Sequence, residues 1–336
     1  MPSYRSSKKA APGRPKVVIT IGDPCGIGPE VVLRSMASPA LRGLADFIIV
    51  GDLTVLSAAS KAAGVPLCRG SAGIRLVDTG AVKARDVSFG RQSKLSGRAS
   101  LKYLDIALGI IRDGEADCIV NAPLSKEAVS LSRKGFTGHT EYIAAKFGVR
   151  KFAMMLIGGP LRVALVTRHI PVKDVPAALT RANITDCIKI SHGAMKGLFG
   201  IAEPRIGVAS LNPHGGEGGK IGTEEVRVIG PAVKLASKAC PGVIGPVSSE
   251  ALFYSAYRGK LDCIVAMYHD QGLTPLKMIA RDESINVTLG LPFPRTSPGH
   301  GTAFDIAGKG IAGSGPMEES IKLAARMAVR NGKPVC

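Results

Sequence analysis

The 336-residue sequence contains no tryptophan, and aromatic residues make up only 4% of it. No apolar run approaches the roughly 20 residues that a membrane-spanning helix needs, and residues 1–15 hold no apolar stretch of the kind found in signal peptides. None of the seven cysteines forms a CxxC pair, so neither a disulfide framework nor a thiolate metal site is expected. These absences predict a cytoplasmic protein without a membrane partner.

Acidic residues are also scarce, and the formal net charge is +18. Residues 1–16 contain five basic residues and no acidic one, and we predict a solvated, disordered tail over residues 1–15. The remaining positive charge is spread along the chain, without a basic helical stripe or an aromatic-rich nucleic-acid module. A diffuse positive field suits small anionic substrates, so nucleic-acid binding is the lesser alternative.

The chain is longer than one hydrophobic core usually fills, which predicts two lobes. Strand and helix patterns alternate along most of it, and this alternation favours parallel sheets covered by helices. The clearest patterns are strands at 17–21, 47–50 and 118–120 and helices at 53–63 and 99–111, whereas 69–96 looks irregular. The glycine loop at 22–30 lacks a dinucleotide fingerprint, because Val31 stands at the third glycine position.

Three histidines each follow a predicted buried strand. The runs 161–167, 205–211 and 262–268 lead into His169, His214 and His269. Because parallel strands align their carboxyl ends at one edge of a sheet, these imidazoles are expected to converge there. Three neutral imidazoles suit Zn²⁺ or a similar divalent ion acting as a Lewis acid. Their wide spacing matches no compact metal motif, and each could instead be an ordinary hydrogen-bonded residue.

Other polar residues have both a functional and a plain structural interpretation. Thr140 is expected to cap a helix over residues 142–147, and with His139 it could bind an anion there or be a cap alone. Lys277, Asn286 and Arg295 would form a phosphate or carboxylate clamp if they faced one cleft, and would otherwise be solvated.

Seven segments together resemble the 4-hydroxythreonine-4-phosphate dehydrogenase family. The resemblance covers residues 16 to about 330. The matching segments are GDPCGIGPE (22–30), GFTGHTE (135–141), TRH (167–169), IAEPRI (201–206), LNPHGGEGGKIGTEE (211–225), AMYHDQGLTPLK (266–277) and INVTLGLPFPRTSPGHGTAFDIAGKG (285–310).

The resemblance implies a two-lobed α/β/α sandwich of the isocitrate/isopropylmalate dehydrogenase type, with mostly parallel sheets and the active site between the lobes. The expected lobes are 16–128 with 298–336 (cofactor side) and 129–297 (metal, substrate and dimer contacts). It also implies a homodimer in which His169, His214 and His269 hold one divalent ion per subunit (Zn²⁺, with Mg²⁺ or Co²⁺ as alternatives), with ligands contributed by both subunits.

The same resemblance implies further site residues. The substrate contacts would be His139, Thr140, Lys277, Asn286 and Arg295. The NAD(P)⁺ loop would contain Gly299, His300, Gly301, Thr302 and Asp305. Two carboxylates are catalytic candidates: Asp270, beside His269, and Glu250, which stands where the family pattern has an aspartate.

The implied reaction is NAD(P)⁺-dependent oxidation of 4-phosphooxy-L-threonine, followed by decarboxylation, in pyridoxal 5'-phosphate biosynthesis. A sibling dehydrogenase for a four-carbon sugar-acid phosphate or a cyclic dihydrodiol acid is the nearest alternative. A phosphate acyltransferase, which needs neither NAD nor a metal, is a more remote one.

Overall fold

The computed structural model describes residues 13–67 and 70–331, apart from the side chain of residue 282. The predicted tail therefore lies outside the described residues except for 13–15. Contacts divide the chain into two compact units, one of residues 13–136 with 300–329 and the other of 137–299 with 330–331. The predicted lobe boundaries, after residues 128 and 297, stand eight and two residues before these junctions, which follow residues 136 and 299.

The first unit contains a four-stranded parallel sheet in the order β3-β2-β1-β4. One of its two inner strands, β1, buries Val17, Val18 and Ile19 completely, as expected of a parallel strand covered on both faces. The strands are β1 (Lys16–Thr20), β2 (Asp46–Gly51), β3 (Ile74–Asp78) and β4 (Cys118–Asn121), and the helices are α1 (Gly28–Ala37), α2 (Leu53–Ala63), α3 (Lys94–Arg112), α4 (Lys126–Ser130) and α11 (Gly315–Asn331).

The predicted strands and helices of this unit are confirmed, but within the described residues 70–96 the irregular assignment is wrong at 74–78 and 94–96. That stretch contains β3 and the start of α3. β3 lies at the edge of the sheet and is only partly buried, so its sequence carries charges instead of a long apolar run. α3 begins at a capping box in which Ser93 and Ser96 each accept a hydrogen bond from the other's backbone N–H.

The second unit contains seven strands in the order β11-β10-β5-β6-β9-β7-β8. The strands are β5 (Ala153–Gly158), β6 (Leu161–Leu165), β7 (Ile206–Ala209), β8 (Val243–Val247), β9 (Cys263–Ala266), β10 (Ile285–Leu289) and β11 (Arg295–Pro298). The helices are α5 (His139–Lys146), α6 (Val175–Ala178), α7 (Arg181–Gly197), α8 (Gly230–Ser237), α9 (Ser249–Tyr257) and α10 (His269–Ala280).

The mixed α/β class with mostly parallel pairing is confirmed, although the second unit is not parallel throughout. β6, β9, β7 and β8 pair in parallel, whereas β5–β6, β5–β10 and β10–β11 are antiparallel. β5 and β6 are joined by only two residues, Gly159 and Pro160, and so short a link permits only antiparallel pairing. Across residues 13–67 and 70–331, no helix is long and apolar enough to cross a membrane.

α10 packs closely against β6 because residue 272 is glycine. A Cβ atom at Gly272 would lie 2.8 Å from Val163 Cγ1 and 2.9 Å from Leu165 Cδ2. Leu273 and Leu276 extend this contact into the buried apolar cluster of the unit. The first turn of α10 is thereby held beside the carboxyl end of β6, and that placement determines the site described next.

Candidate active site

The predicted strand before His269 is confirmed as β9, and His269 is the first residue of α10. Its Nδ1 lies 2.6 Å from Oδ1 of Asp270. A carboxylate at Nδ1 favours the tautomer that carries its proton there, which leaves Nε2 with a free lone pair. His269 is therefore oriented as a metal-binding imidazole commonly is, with Asp270 as the group that orients it.

His169 lies next to His269, as the sequence predicted for two neighbouring strand ends. β6 and β9 are paired in parallel, and the two imidazole centroids are 5.5 Å apart at an angle of 44°. The close packing at Gly272 brings the start of α10 to this position. The structure thus supplies two nitrogen donors on adjacent segments of one chain.

His214 lies in a backbone segment of unusual conformation. From His214 to Gly218 five successive residues have φ between 44° and 77°, and His214 itself has φ 51°. Non-glycine residues rarely adopt this left-handed region, and three of the five residues are glycines, which adopt it readily. Glu217, with φ 44°, is the other non-glycine residue of this segment in the left-handed region.

The His214 segment is anchored by the buried carboxylate of Glu225. Glu225 Oε1 accepts hydrogen bonds from the backbone N–H groups of Leu211 and Asn212, both at 2.8 Å, and Oε2 accepts one from Asn212 Nδ2 at 2.9 Å. Burial raises the pKa of Glu225, but the donors of Asn212 and Leu211 outweigh it, so its pKa lies below the usual range. The sequence analysis did not single out Glu225, although it is the last residue of the motif at 211–225.

The three histidines do not form one ligand set within the described chain. No group of three or more His, Cys, Asp or Glu side chains among residues 13–67 and 70–331 is placed to hold a metal ion. His169 and His269 lie together, with donor chemistry that suits a zinc-like ion, and His214 is not part of a set with them. The metal assignment stays a prediction.

A cavity of about 360 Å³ adjoins His214 in the second unit. It is lined by Leu211, Asn212, Pro213, His214, Ser248, Ser249, Glu250, Phe253, Tyr268, Gln271 and Pro275. Glu250 is exposed, and its Oε1 accepts a hydrogen bond of 2.9 Å from Ser248. Its own backbone N–H and the Ser248 hydroxyl hold the pKa of Glu250 below the usual value, so it is ionised at neutral pH. Its catalytic role stays a prediction, as does that of Asp270.

The prediction that Thr140 caps a helix over 142–147 is wrong. α5 begins earlier, at His139, and its N-cap is Gly138, whose φ of 149° suits glycine. Thr140 is instead buried in the first turn, with its hydroxyl 3.3 Å from that of Thr288. The Thr288 hydroxyl also accepts a hydrogen bond of 3.3 Å from Nη1 of Arg295. Thr140 and Arg295, both predicted substrate contacts, are therefore linked through Thr288.

Arg295 and Asn286, which lie on β11 and β10, each bury a polar group that proteins usually leave exposed. Arg295 is only 1% exposed, and burial lowers its pKa to about 10, so it stays protonated at neutral pH. Asn286 shares a face of β10 with Thr288, and its Oδ1 is buried without a hydrogen-bond partner. Lys277 is exposed on α10, and His139 is half-buried at the start of α5. Thr288 could have been found in the sequence, since it alternates with Asn286 in an otherwise apolar strand.

The predicted cofactor loop lies largely in the first unit, with Gly299 in the second. The carbonyl of Thr302 accepts a 2.9 Å hydrogen bond from the backbone N–H of Ile27, and a Cβ atom at Gly26 would lie 2.9 Å from that carbonyl oxygen. His300 Nδ1 is 3.0 Å from the carbonyl of Gly301, and its Nε2 is buried without a partner. Two loops predicted separately thus meet in the first unit, while Gly301 and Asp305 are exposed. Their cofactor role stays a prediction.

The chain was compared with protein families, with individual proteins and with solved structures, and all three comparisons point to one family. Residues 43–324 match the family described as pyridoxal phosphate biosynthetic protein PdxA. A relative from Geobacter metallireducens named 4-hydroxythreonine-4-phosphate dehydrogenase is 39% identical, over 94% of this chain and 96% of its own length. One from Cupriavidus necator named D-threonate 4-phosphate dehydrogenase is also 39% identical, over 94% of this chain and 98% of its own.

A solved structure of 4-hydroxythreonine-4-phosphate dehydrogenase from Klebsiella pneumoniae is 34% identical with a TM-score of 0.84, and the match covers 94% of this chain and 98% of that one. The resemblance read from the sequence motifs is thereby confirmed at the level of the family. The chain belongs to the PdxA family of pyridoxal phosphate biosynthetic proteins.

Proposed function

We propose that this protein oxidises the C3 hydroxyl of 4-phosphooxy-L-threonine with NAD(P)⁺ and a divalent metal ion, in pyridoxal 5'-phosphate biosynthesis. The observation that carries the proposal is the PdxA family match over residues 43–324, together with relatives named 4-hydroxythreonine-4-phosphate dehydrogenase. The pairing of His169 with His269, whose centroids are 5.5 Å apart, supports a metal-assisted reaction.

In this reaction the hydrogen on C3 leaves as hydride to NAD(P)⁺, and the hydroxyl proton passes to a base. The product, 2-amino-3-oxo-4-phosphooxybutanoate, is a β-keto acid and loses CO₂ to give 3-amino-2-oxopropyl phosphate. A divalent ion held by His169, His214 and His269 would lower the pKa of the substrate hydroxyl. Asp270 orients His269 through Nδ1, at 2.6 Å, and Glu250 is an ionised carboxylate beside His214 that could accept the proton.

The substrate phosphate is assigned to the cluster around β10. Arg295 brings a buried positive charge, Thr140 is linked to it through Thr288, and Asn286 shares a face of β10 with Thr288. The charge of Glu141 already interacts favourably with Arg295, and a phosphate oxygen matches the planar guanidinium well. Lys277 would add a second charge from α10, and His139 a further polar contact from α5.

We also propose that the metal site is shared between two subunits of a homodimer. Within the described part of one chain, His214 does not join His169 and His269 in a ligand set, and a shared site is consistent with that arrangement. Co-expression of His214→Ala with His269→Ala tests it. If the two residues serve one site from different subunits, the mixed dimer keeps one intact site and recovers metal and activity. If both residues come from one subunit, the mixed dimer recovers neither metal binding nor activity.

The reaction is tested with the purified protein, each nicotinamide cofactor and Zn²⁺, Mg²⁺ or Co²⁺. Reduced cofactor should form from 4-phosphooxy-L-threonine, and metal content and rate should both fall in His269→Ala. D-threonate 4-phosphate is the main competing substrate, because a relative with that activity in its name is equally similar to this chain. Turnover of only D-threonate 4-phosphate or a dihydrodiol acid would reject 4-phosphooxy-L-threonine as the substrate. Acetyl phosphate formation from acetyl-CoA would favour an acyltransferase.

A further inference from the structure

Gln271 connects three separate segments of the second unit through one side chain. It lies in the first turn of α10 and is half-buried. Its Oε1 accepts a hydrogen bond of 2.6 Å from the backbone N–H of Met267, and its Nε2 donates to the carbonyl of Ser210 at 2.6 Å and to the hydroxyl of Ser249 at 2.9 Å. The oxygen and the NH₂ group of this amide therefore contact three different segments of the chain.

The chemistry of the partners determines which end of the amide faces which segment. A backbone N–H can only donate, so Met267 requires the oxygen, and a carbonyl can only accept, so Ser210 requires the nitrogen. Neither a carboxylate nor an apolar side chain of the same size could satisfy both. The position is thus specific for glutamine and not merely for a side chain of that volume.

Each partner of Gln271 stands close to a predicted site residue. Met267 precedes His269 by two residues, Ser210 directly follows β7 on the way to His214, and Ser249 is the neighbour of Glu250. The pairing of β7 with β9 stops before Ser210 and Met267, since its registered pairs end at Val208 and Val265. The backbone bonds of these two residues go to other neighbours, from Ser210 N–H to the Val247 carbonyl and from Thr167 N–H to the Met267 carbonyl. β7 and β8 also lose regular register between Gly207 and Ala209. Beyond the last β7–β9 pair, the Gln271 side chain connects the ends of these two strands.

We propose that Gln271 is a positioning residue that holds the ends of β7 and β9 and the start of α9 in register, and thereby sets the relative positions of His214, His269 and Glu250. Its connecting role follows from the hydrogen bonds alone. Its effect on metal binding rests on the proposed function.

The test uses the full-length protein with Gln271→Met, which keeps the volume and removes both ends of the amide. Gln271→Glu keeps the acceptor for Met267 but places an oxygen against the Ser210 carbonyl. Ser249→Ala removes one partner only and serves as the milder variant. Thr274→Val, on the exposed face of the same helix, is the matched control.

Two measurements separate positioning from a general loss of stability. Amide hydrogen exchange should accelerate about tenfold in residues 209–214 and 248–252 of Gln271→Met and Gln271→Glu, while β1 and β2 exchange as in the wild type. Co²⁺ affinity, followed by the visible absorption of the bound ion, should fall about tenfold, the lower end of what groups that orient metal ligands contribute. Ser249→Ala should show a smaller effect, and Thr274→Val none.

Wild-type exchange rates in both segments of Gln271→Met would overturn the positioning role, whatever the enzyme acts on. Faster exchange throughout the second unit, with Thr274→Val affected equally, would also overturn it. A wild-type protein that takes up no Co²⁺ would overturn the effect on metal binding, while the exchange rates would still decide the positioning role. Failure to oxidise 4-phosphooxy-L-threonine, with Co²⁺ bound, would reject the proposed substrate alone.

Discussion

Replacing Glu225 by alanine should unfold the His214 segment more easily and lower the stability of the protein. The Glu225 side chain is 4% exposed and accepts hydrogen bonds from the backbone of Leu211 and Asn212 and from the Asn212 amide. No other acceptor contacts those two backbone donors at such distances in the described structure, so both would depend on water after the change.

The size of the expected loss in unfolding free energy follows from these contacts. A hydrogen bond to a charged group contributes about 1.5–3 kcal/mol, but three bonds to one carboxylate do not add, and water can enter at the half-buried donors. The Asn212 amide also keeps its bond of 2.7 Å to Glu224. We therefore expect a loss of about 3 kcal/mol for Glu225→Ala. Glu225→Gln keeps an acceptor for the two backbone donors and should cost about 1 kcal/mol.

The assay is urea unfolding at neutral pH followed by far-UV circular dichroism, because the chain has no tryptophan to report by fluorescence. A loss of about 3 kcal/mol corresponds to a midpoint about 1 M lower in urea. Glu203→Ala is the control, since Glu203 is exposed, and it should change stability by less than about 0.5 kcal/mol. A Glu225→Ala midpoint equal to that of Glu203→Ala would refute the anchoring role.

Three further predictions concern single side chains. The pKa of Glu225 is lowered by folding, so its stabilising effect is complete above the unfolded-state pKa of about 4.3 and is lost as the pH falls through the folded value. Glu225→Gln should therefore flatten the acid limb of a plot of unfolding free energy against pH, and an unchanged limb would contradict this. Gly272→Ala would place Cβ 2.8 Å from Val163 Cγ1, and urea unfolding should show a loss of about 1–3 kcal/mol. Thr288→Val removes the hydroxyl that links Thr140 to Arg295, and steady-state kinetics should show KM for the phosphorylated substrate rising about tenfold with kcat little changed.

Much of the fold and part of the site can be predicted from the sequence, because the signals are local. The apolar runs of β1, β6 and β9 identify buried strands, and the residues that follow them identify His169 and His269 as neighbours at strand ends. The long motifs identify the family before any coordinate is known. By contrast, the sequence did not reveal that β5 and β6 pair antiparallel, and it placed the N-cap of α5 at Thr140 instead of Gly138, since both features depend on backbone geometry.

The sequence by itself determined the α/β class, the family and most of the candidate site residues. Only the tertiary structure showed the hydrogen bonds by which Gln271, Glu225 and Thr288 connect the segments around those residues. Each of these three acts through partners in separate strands or loops, and hydrogen bonds between distant segments leave no periodic pattern along the chain. Strand burial is encoded in neighbouring residues and can be read directly, whereas the hydrogen bonds that connect the strand ends exist only after the chain has folded.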